Sequence, residues 1–327
     1  MTSLYETEDG AFNILVDNTE ALPRDEWLNL RREGIGGSDI SAAMGLSPWM
    51  SRYALYLDKI GEDIPNVDTD YKTWGKRAEP MIALAFYEET GFETWHQPVM
   101  LRSTTFPLAL ANPDRFCVDE DGVVAVVELK NIGRQKAHEW TDGPPIHYRL
   151  QGQWYLFVTG QSRVYFAVLI GGQDFMIYQV ERDDELIAEM LRQAEAFWTL
   201  VQLKRPPDVD GSDSTLAALK AHYLTIERPS MEGGTELYSL VLRHQTAKAV
   251  KETAERQFQE VENLLIDALG DAEEGTVDGT TIVRRPVRKR TGIDADGLRR
   301  DYPEIAKEYS KVSVFRQFSF PRAKEAK

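Results

Sequence analysis

The segment 123–129 constrains the fold of this chain more than any other. Six of its seven residues are apolar, and the turn-forming sequence Asp119-Glu120-Asp121-Gly122 precedes it. A short apolar run that follows a turn is typical of a strand buried on both faces. The segment therefore predicts a strand inside a covered sheet.

The order of elements around this strand sets the fold class. Apolar periodicity and turn residues predict helices at 24–33, 40–44, 52–60, 74–90, 148–158 and 185–203, and strands at 99–102, 108–111, 116–118, 164–170 and 175–180. Ser38 and Asp39 are expected to cap the helix that begins at residue 40. This interleaving predicts an α/β class with a mixed central sheet flanked by helices.

A second region follows the proline pair Pro206-Pro207. Residues 208–214 have the composition of a linker, which divides the chain into domains at 1–205 and 206–327. Beyond the linker, the pattern predicts helices at 214–223, 235–269 and 302–309, a strand pair within 280–290 and a final strand at 312–318. The second region is therefore expected to be an α+β accessory region.

Composition narrows the class of protein. The one cysteine, Cys117, excludes an internal disulfide framework and a cysteine-rich zinc module. No apolar run approaches the ~18 residues that a membrane helix needs. The acidic N-terminus lacks the basic start of a signal peptide. We therefore expect a cytoplasmic protein without membrane association.

The charge is distributed unevenly along the chain. The net charge of −15 alone argues against a nucleic-acid-binding protein, yet residues 281–327 hold 13 basic and 6 acidic side chains. Five of the basic residues form what we call the basic cluster: Arg284, Arg285, Arg288, Lys289 and Arg290. The cluster is either a solvated loop or a surface that contacts phosphates.

Asp114, Glu128 and Lys130 form the sharpest chemical pattern. Glu128 and Lys130 are two residues apart on the predicted strand, so they point to the same face while Leu129 points to the core. Carboxylates on neighbouring strands, with a backbone carbonyl from Leu129, offer the oxygen ligands that Mg²⁺ prefers. A lysine on the same face could orient a water molecule for phosphodiester hydrolysis. The alternative is a surface aspartate with a strand-end ion pair.

Other polar residues lie where they could join this group. Glu79 is on the helix before the strands, and Tyr148 and Gln151 share one face of the helix after them because they are three residues apart. Trp49, in the sequence Ser47-Pro48-Trp49, could face bound DNA or the core, and we expect it in the core.

Six ordered motifs over residues 25–205 resemble one known family. They are Trp27-x-x-x-Arg31, Gly34-Ile35-Gly36-Gly37-Ser38-Asp39, Trp74-Gly75-x-x-x-Glu79, Asn112-Pro113-Asp114, Glu128-Leu129-Lys130 and Tyr148-x-x-Gln151-x-Gln153-Trp154. Together they resemble the phage-type exonucleases of the lambda exonuclease and YqaJ viral recombinase kind. The resemblance implies a restriction-endonuclease-like core of the PD-(D/E)XK superfamily.

The resemblance also implies roles for individual residues. Metal ligands would be Asp114, Glu128, the Leu129 carbonyl and Glu79, Lys130 would position the attacking water, and Gln151 would hold a phosphate. Phosphate-binding residues would be Arg31, Ser38, Asn112 and Tyr148, although Asn112 replaces a smaller serine of lambda exonuclease. Our hypothesis is that the basic cluster binds the phosphate backbone of the duplex.

The expected activity follows from this resemblance. It implies a Mg²⁺-dependent exonuclease, with Mn²⁺ as a substitute, that digests linear double-stranded DNA from 5′-phosphorylated ends. The remaining 3′ single strands would serve recombination with a single-strand annealing partner, and the enzyme would form a ring-shaped homo-oligomer. A phage or prophage gene expressed in a bacterial host would encode it. An endonuclease on the same fold and a catalytically silent DNA-binding protein are the alternatives.

Overall fold

The computed structural model describes residues 10–62, 69–224, 230–311 and 318. The chain divides into two compact units, of which the first comprises Met1–Ile226 and Phe318–Lys327 and the second comprises Glu227–Gln317. No helix among the described residues is long and apolar enough to cross a membrane.

The first unit contains eight strands among its described residues. These are β1 (Phe12–Val16), β2 (Thr94–Trp95), β3 (Met100–Ser103), β4 (Leu110–Ala111), β5 (Arg115–Val118), β6 (Val124–Ile132), β7 (Arg163–Ile170) and β8 (Asp174–Glu181). Strands β2, β5, β6, β7 and β8 form the central sheet in that order. Only β6 and β7 pair in parallel, so the sheet is mixed, as the sequence predicts. Strands β1, β3 and β4 form a smaller antiparallel sheet.

The helices of the first unit lie close to their predicted positions. They are α1 (Arg24–Arg32), α2 (Gly37–Ala43), α3 (Arg52–Lys59), α4 (Thr69–Thr90), α5 (Ile146–Thr159), α6 (Asp184–Gln202) and α7 (Asp213–His222). A 3₁₀ helix, Arg134–Trp140, lies between β6 and α5. Helix α4 begins five residues earlier than expected.

The expected N-cap position of Ser38 and Asp39 is wrong, although Asp39 still caps the helix from its third residue. Helix α2 starts at Gly37 with Gly36 as its N-cap, so both residues lie inside the first turn. The Asp39 carboxylate accepts a hydrogen bond from the Gly36 N–H at 3.0 Å, which satisfies one free donor of the helix start from within the helix. Ser38 is thereby left facing Arg31.

The central strand β6 is buried on both faces, as its apolar sequence predicts. Val126 packs in the core with α5 and α6, whereas Val127 packs in a second cluster with Ile82 and Phe86 of α4. Trp154 of α5, fully buried, donates its indole N–H towards the carbonyls of Ile35 and Leu110 at 3.0 and 3.2 Å. Glu128 and Lys130 share the face of Val126 and therefore point towards α5.

The second unit contains α8 (Thr235–Leu269), β9 (Glu274–Val277), β10 (Thr280–Arg284), α9 (Ala295–Asp301) and α10 (Pro303–Glu308). It is the α+β region expected from the sequence, with the long helix at its predicted bounds. The hairpin covers residues 274–284, six residues earlier than the strand pair predicted within 280–290. The predicted strand at 312–318 lies outside the described residues except for Phe318.

The division between the units lies at residue 226, whereas the sequence suggested a boundary after residue 205. Helix α7 accounts for this difference. It packs against α3 in the first unit, and the Ser51 N–H donates to Ser214 Oγ at 2.9 Å. The domain assignment from sequence remains a prediction.

Candidate active site

Asp114 and Glu128 come together where β5 begins and β6 nears its end. Asp114 immediately precedes β5, and its carboxylate accepts a hydrogen bond from the Leu129 N–H at 2.9 Å. The antiparallel register places Arg115 opposite Val127, which brings Asp114 alongside this part of β6. The pairing of two strands thus delivers two carboxylates to one place, as the sequence predicts.

The Glu128 carboxylate is almost completely buried, with 1% of the residue exposed. Its Oε1 accepts hydrogen bonds from Lys130 Nζ and from Gln151 Nε2, both at 2.6 Å. Among the described residues, no group donates a hydrogen bond to its other oxygen, Oε2. The side chains of Glu128 and Asp114 also lie within hydrogen-bonding reach of each other. Two buried carboxylates this close are costly unless they share a proton or a cation, so this place is suited to a cation.

Lys130 lies between β6 and α5. Its ammonium also donates to Gln151 Oε1 at 3.2 Å and lies 4.6 Å from the centre of the Tyr148 ring. Tyr148 and Gln151 therefore meet Lys130 from the shared face of α5 that their spacing predicts. The Gln151 amide is fixed in turn by donating to the Tyr155 hydroxyl at 3.0 Å.

Burial and mutual repulsion perturb the acidic groups of this site. Burial, together with the nearby Asp114, raises the pKa of Glu128 to about 8 against an opposing pull from Lys130. Burial likewise raises the pKa of Asp114. Burial would lower the pKa of Lys130, but Glu128 and Asp114 raise it, so its ammonium stays charged. Two acidic groups and one ammonium leave a surplus of negative charge when both acids ionise.

Glu79 belongs to the electrostatic surroundings of this pair. Burial and the charge of Asp114 raise the pKa of Glu79 to about 7. His96 adds a contact on the same side, where its Nδ1 lies 3.0 Å from the Asp114 carbonyl oxygen. The charge of Asp114 therefore affects the pKa of Glu79, although no hydrogen bond joins the two side chains.

The donor set fits a hard divalent cation held by few protein ligands. Within the described part of the chain, no three His, Cys, Asp or Glu side chains converge closely enough to form a complete metal centre. Mg²⁺ is often bound by one or two carboxylates while it keeps several waters. Asp114 and Glu128 meet that requirement, and Glu79 stands near them.

Arg31 and Ser38 are brought together at the start of α2. Arg31 Nη2 donates to Ser38 Oγ at 2.9 Å and to Asp39 Oδ1 at 2.7 Å, and its guanidinium lies 4.9 Å from the centre of the Trp27 ring. Lys59, with a fully buried side chain, donates to Asp39 Oδ2 at 2.8 Å. Asp58 lies 4.0 Å from the Lys59 ammonium and 3.5 Å from Arg32, so three cations and two carboxylates leave a net positive charge, which suits an anionic ligand.

Gly37 and Tyr155 connect the two groups of residues. The Gly37 Cα lies against the Tyr155 ring, because a Cβ on Gly37 would overlap Tyr155 Cε1 and lie 2.9 Å from Cζ. The hydroxyl of the same ring accepts the hydrogen bond from Gln151. One buried side chain thus links the carboxylate pair to the residues around Asp39, which are Arg31, Ser38 and Lys59 and which we call the Arg31 group.

The remaining predicted residues lie apart from these contacts. The Asn112 amide donates to the Val99 carbonyl at 2.7 Å, so at least one of its donors supports the backbone. The basic cluster lies exposed in the second unit, where Arg284 pairs with Glu274 at 3.0 Å. The roles proposed for Asn112 and the basic cluster remain predictions.

Sequence reasoning missed Lys59, Tyr155 and the supporting role of Asp39. Lys59 follows the buried residues Leu55 and Tyr56 by four and three positions, so it falls on the buried face of α3. A lysine at such a position signals a buried ionic partner. Tyr155 lies four residues after Gln151, so helical spacing predicts that the two side chains share one face of α5.

Comparisons with known proteins match this chain over most of its length. Residues 26–162 match the YqaJ-like viral recombinase domain. YqaJ of Bacillus subtilis strain 168 is 32% identical over 311 residues, which cover 93% of this chain and 96% of that protein.

Solved structures also align with part of the chain. An alkaline exonuclease, LHK-Exo, from Laribacter hongkongensis aligns with 55% of this chain and 94% of its own, at 19% identity and a TM-score of 0.44. A phage-related exonuclease from Haemophilus somnus 129PT aligns with 54% of this chain and 98% of its own, at 12% identity and a TM-score of 0.41. On the identity and coverage of its relative in Bacillus subtilis, this chain belongs to the family of YqaJ-like viral recombinases.

Proposed function

We propose that this protein is a Mg²⁺-dependent exonuclease that digests linear double-stranded DNA from 5′-phosphorylated ends. The observation that carries the proposal is the buried Glu128 carboxylate, which bonds to Lys130 and lies within hydrogen-bonding reach of Asp114. Burying two repelling carboxylates costs stability, and a bound cation offsets that cost. Membership in a viral recombinase family supports DNA as the substrate.

Asp114, Glu128 and the Leu129 carbonyl would hold the metal ion, with Glu79 as a further carboxylate. When bound, Mg²⁺ supplies Lewis-acid polarisation of the phosphate and activation of water. Mn²⁺ has similar oxygen-ligand chemistry and substitutes for it.

Lys130 acts as a charged donor in this mechanism. The Glu128 and Gln151 oxygens hold its ammonium from two sides, which fixes the direction of its remaining N–H group. That group orients the attacking water, and the positive charge stabilises the charge that develops on the phosphate. Gln151 and Tyr148 hold the ammonium in position relative to the phosphate.

Arg31 and Ser38 bind the terminal 5′-phosphate. An arginine offers several donors to a phosphate, and Asp39 occupies only part of the Arg31 fork. A pocket that recognises a terminal phosphate beside the hydrolytic site restricts cleavage to DNA ends. Asn112 assists from the turn before Asp114.

The product and the assembly follow from the same proposal. The remaining 3′ single strands serve recombination through a single-strand annealing partner, in the cytoplasm of a bacterium that carries the phage or prophage. The protein forms a ring-shaped homo-oligomer, and the basic cluster grips the duplex backbone. Replacing the five basic residues by alanine is then expected to flatten the dependence of DNA affinity on salt, and an unchanged slope would contradict this role.

The decisive experiment compares two DNA substrates in the presence of Mg²⁺. One is a linear duplex with 5′-phosphates and the other is a covalently closed circle. We expect the wild-type protein to degrade the linear DNA alone, Lys130→Ala to lose this activity, and the exposed-surface control Lys220→Ala to keep it.

Other results would overturn the proposal in distinct ways. Cleavage of the circle would identify an endonuclease, because a circle has no ends. Undiminished activity in Lys130→Ala would remove the candidate site from the reaction. DNA binding without cleavage of either substrate would identify a binding protein.

A further inference from the structure

Trp49 lies on the surface, which corrects the expectation that it belongs to the core. The residue is 54% exposed. Its loop is ordered by Ser47 Oγ, which accepts hydrogen bonds from the backbone N–H groups of Trp49 and Met50 at 3.3 and 3.2 Å. A large aromatic side chain is thus displayed to solvent by a backbone that local hydrogen bonds hold in place.

The exposed indole contacts two aromatic side chains and the ammonium of a lysine. His147 meets it edge-to-face at 4.5 Å between ring centres, and Tyr148 lies at 5.5 Å. His147 is buried, and burial lowers its pKa to about 4, so its ring is neutral under ordinary conditions. The Lys136 ammonium lies over the indole ring, 5.5 Å from its centre, and 3.8 Å from the Glu139 carboxylate, so a base that stacks on this face displaces the ammonium towards the adjacent phosphate. An aromatic face beside a cation is the combination that receives a nucleobase and its phosphate.

The Trp49 surface continues into the candidate active site. Tyr148 contacts both Trp49 and Lys130. Its ring centre lies 5.5 Å from the centre of the Trp49 ring and 4.6 Å from the Lys130 ammonium. Successive nucleotides in a strand are ~3.4 Å apart along a duplex axis. Trp49 is therefore within a few nucleotides of a phosphate that Lys130 contacts.

We propose that Trp49 stacks on an unpaired nucleobase of the DNA strand that enters the active site, while Lys136 pairs with an adjacent phosphate. The inference rests on the proposed nuclease function for its substrate class. Stacking on an indole is independent of base identity, since every base presents a π face. The platform accordingly selects strand ends with unstacked bases and tolerates any sequence.

The test measures stacking without cleavage. The probe is a 5′-phosphorylated single-stranded oligodeoxynucleotide with 2-aminopurine at its first three positions, and its fluorescence is quenched when the base stacks. All proteins carry Lys130→Ala to prevent hydrolysis. We expect quenching on binding, loss of most of the quenching with Trp49→Ala, and its retention with Trp49→Phe. The affinity of the alanine variant should fall about 5- to 150-fold, as expected for one base–aromatic stack.

The control is Tyr87→Ala, which removes another exposed aromatic residue, on α4. It should leave quenching and affinity unchanged. Equal quenching with Trp49→Ala and with Tyr87→Ala would overturn the inference, provided that circular dichroism shows both proteins folded. A separate cleavage assay with Lys130 intact tests the proposed function. Quenching that depends on Trp49 in a protein that cuts no DNA would sustain the stacking site and refute the nuclease.

Discussion

Replacing Gly37 with alanine tests whether the Arg31 group and the carboxylate pair are joined through Tyr155. The added Cβ would overlap Tyr155 Cε1 and approach Cζ and Cδ1 to 2.9 and 3.0 Å. Favourable contacts between carbon atoms lie at about 3.5–4.0 Å. Because Tyr155 is buried and its hydroxyl is bonded to Gln151, neither the ring nor the start of α2 can move freely.

The expected loss of stability has two opposing parts. Overpacking a buried contact costs about 1–3 kcal/mol. Replacing glycine with alanine returns about 0.4–1 kcal/mol by restricting the unfolded chain. The net destabilisation is therefore about 1–2 kcal/mol, which lowers the melting temperature of a unit of this size by about 2–8 °C.

Thermal unfolding followed by circular dichroism provides the assay, and Gly75→Ala provides the matched control. Gly75 also lies in a helix, but a Cβ there would meet nothing within 4 Å. The control should gain about 0.5–1 kcal/mol from its higher helix propensity. If Gly37→Ala is as stable as Gly75→Ala, the close contact with Tyr155 does not exist.

A double-mutant cycle identifies the contact itself. Tyr155→Leu removes the ring and will destabilise the protein alone. In its presence, Gly37→Ala should lose most of its cost, giving a coupling free energy of about 1 kcal/mol or more. Additive effects of the two substitutions would place the strain elsewhere.

Three further predictions concern buried groups of the first unit. Lys59→Met should destabilise the protein by about 3 kcal/mol in urea unfolding, because it leaves the buried Asp39 with fewer partners, and unchanged stability would refute the buried pair. Burial pushes the pKa of Asp39 upwards, but attraction to Arg31 and Lys59 outweighs it, so the pKa lies well below its ordinary value of 3.8. Ionised Asp39 therefore stabilises the fold above that pH and loses this effect as the pH falls below it. The stability advantage of the wild type over Asp39→Asn should shrink in that range, and a constant difference would contradict this prediction. Burial raises the pKa of the Cys117 thiol to about 12, so a thiol reagent should modify the native protein on the order of a thousandfold more slowly than the unfolded chain, whereas equal rates would show that this strand is accessible.

The sequence was most informative where one local pattern determined the structure. The apolar run before Glu128 predicted a doubly covered strand, and the two-residue spacing of Glu128 and Lys130 predicted their shared face. The three-residue spacing of Tyr148 and Gln151 likewise predicted that both would meet Lys130. Strand and helix periodicity fix these directions before any tertiary contact forms.

Contacts between distant segments could not be predicted in the same way. Asp39 looked like a helix cap, and only the packing of α3 against α2 shows that it binds Lys59. Trp49 looked like a core residue because hydrophobicity alone does not tell which aromatic residues the packed elements leave uncovered. The partner of Gly37 was hidden for a related reason, since its contact lies on a helix more than a hundred residues away.

The parallel pairing of β6 with β7 has a consequence for how the candidate site is assembled during synthesis. A parallel pair needs a crossover, and α5 is that crossover, so Gln151 reaches Glu128 and Lys130 from 23 and 21 residues downstream. During synthesis, a nascent chain that ends before α5 holds the acidic pair without the amide that steadies it. For the nuclease proposed above, the site is therefore expected to be complete only after α5 has been synthesised and the crossover has docked on the sheet.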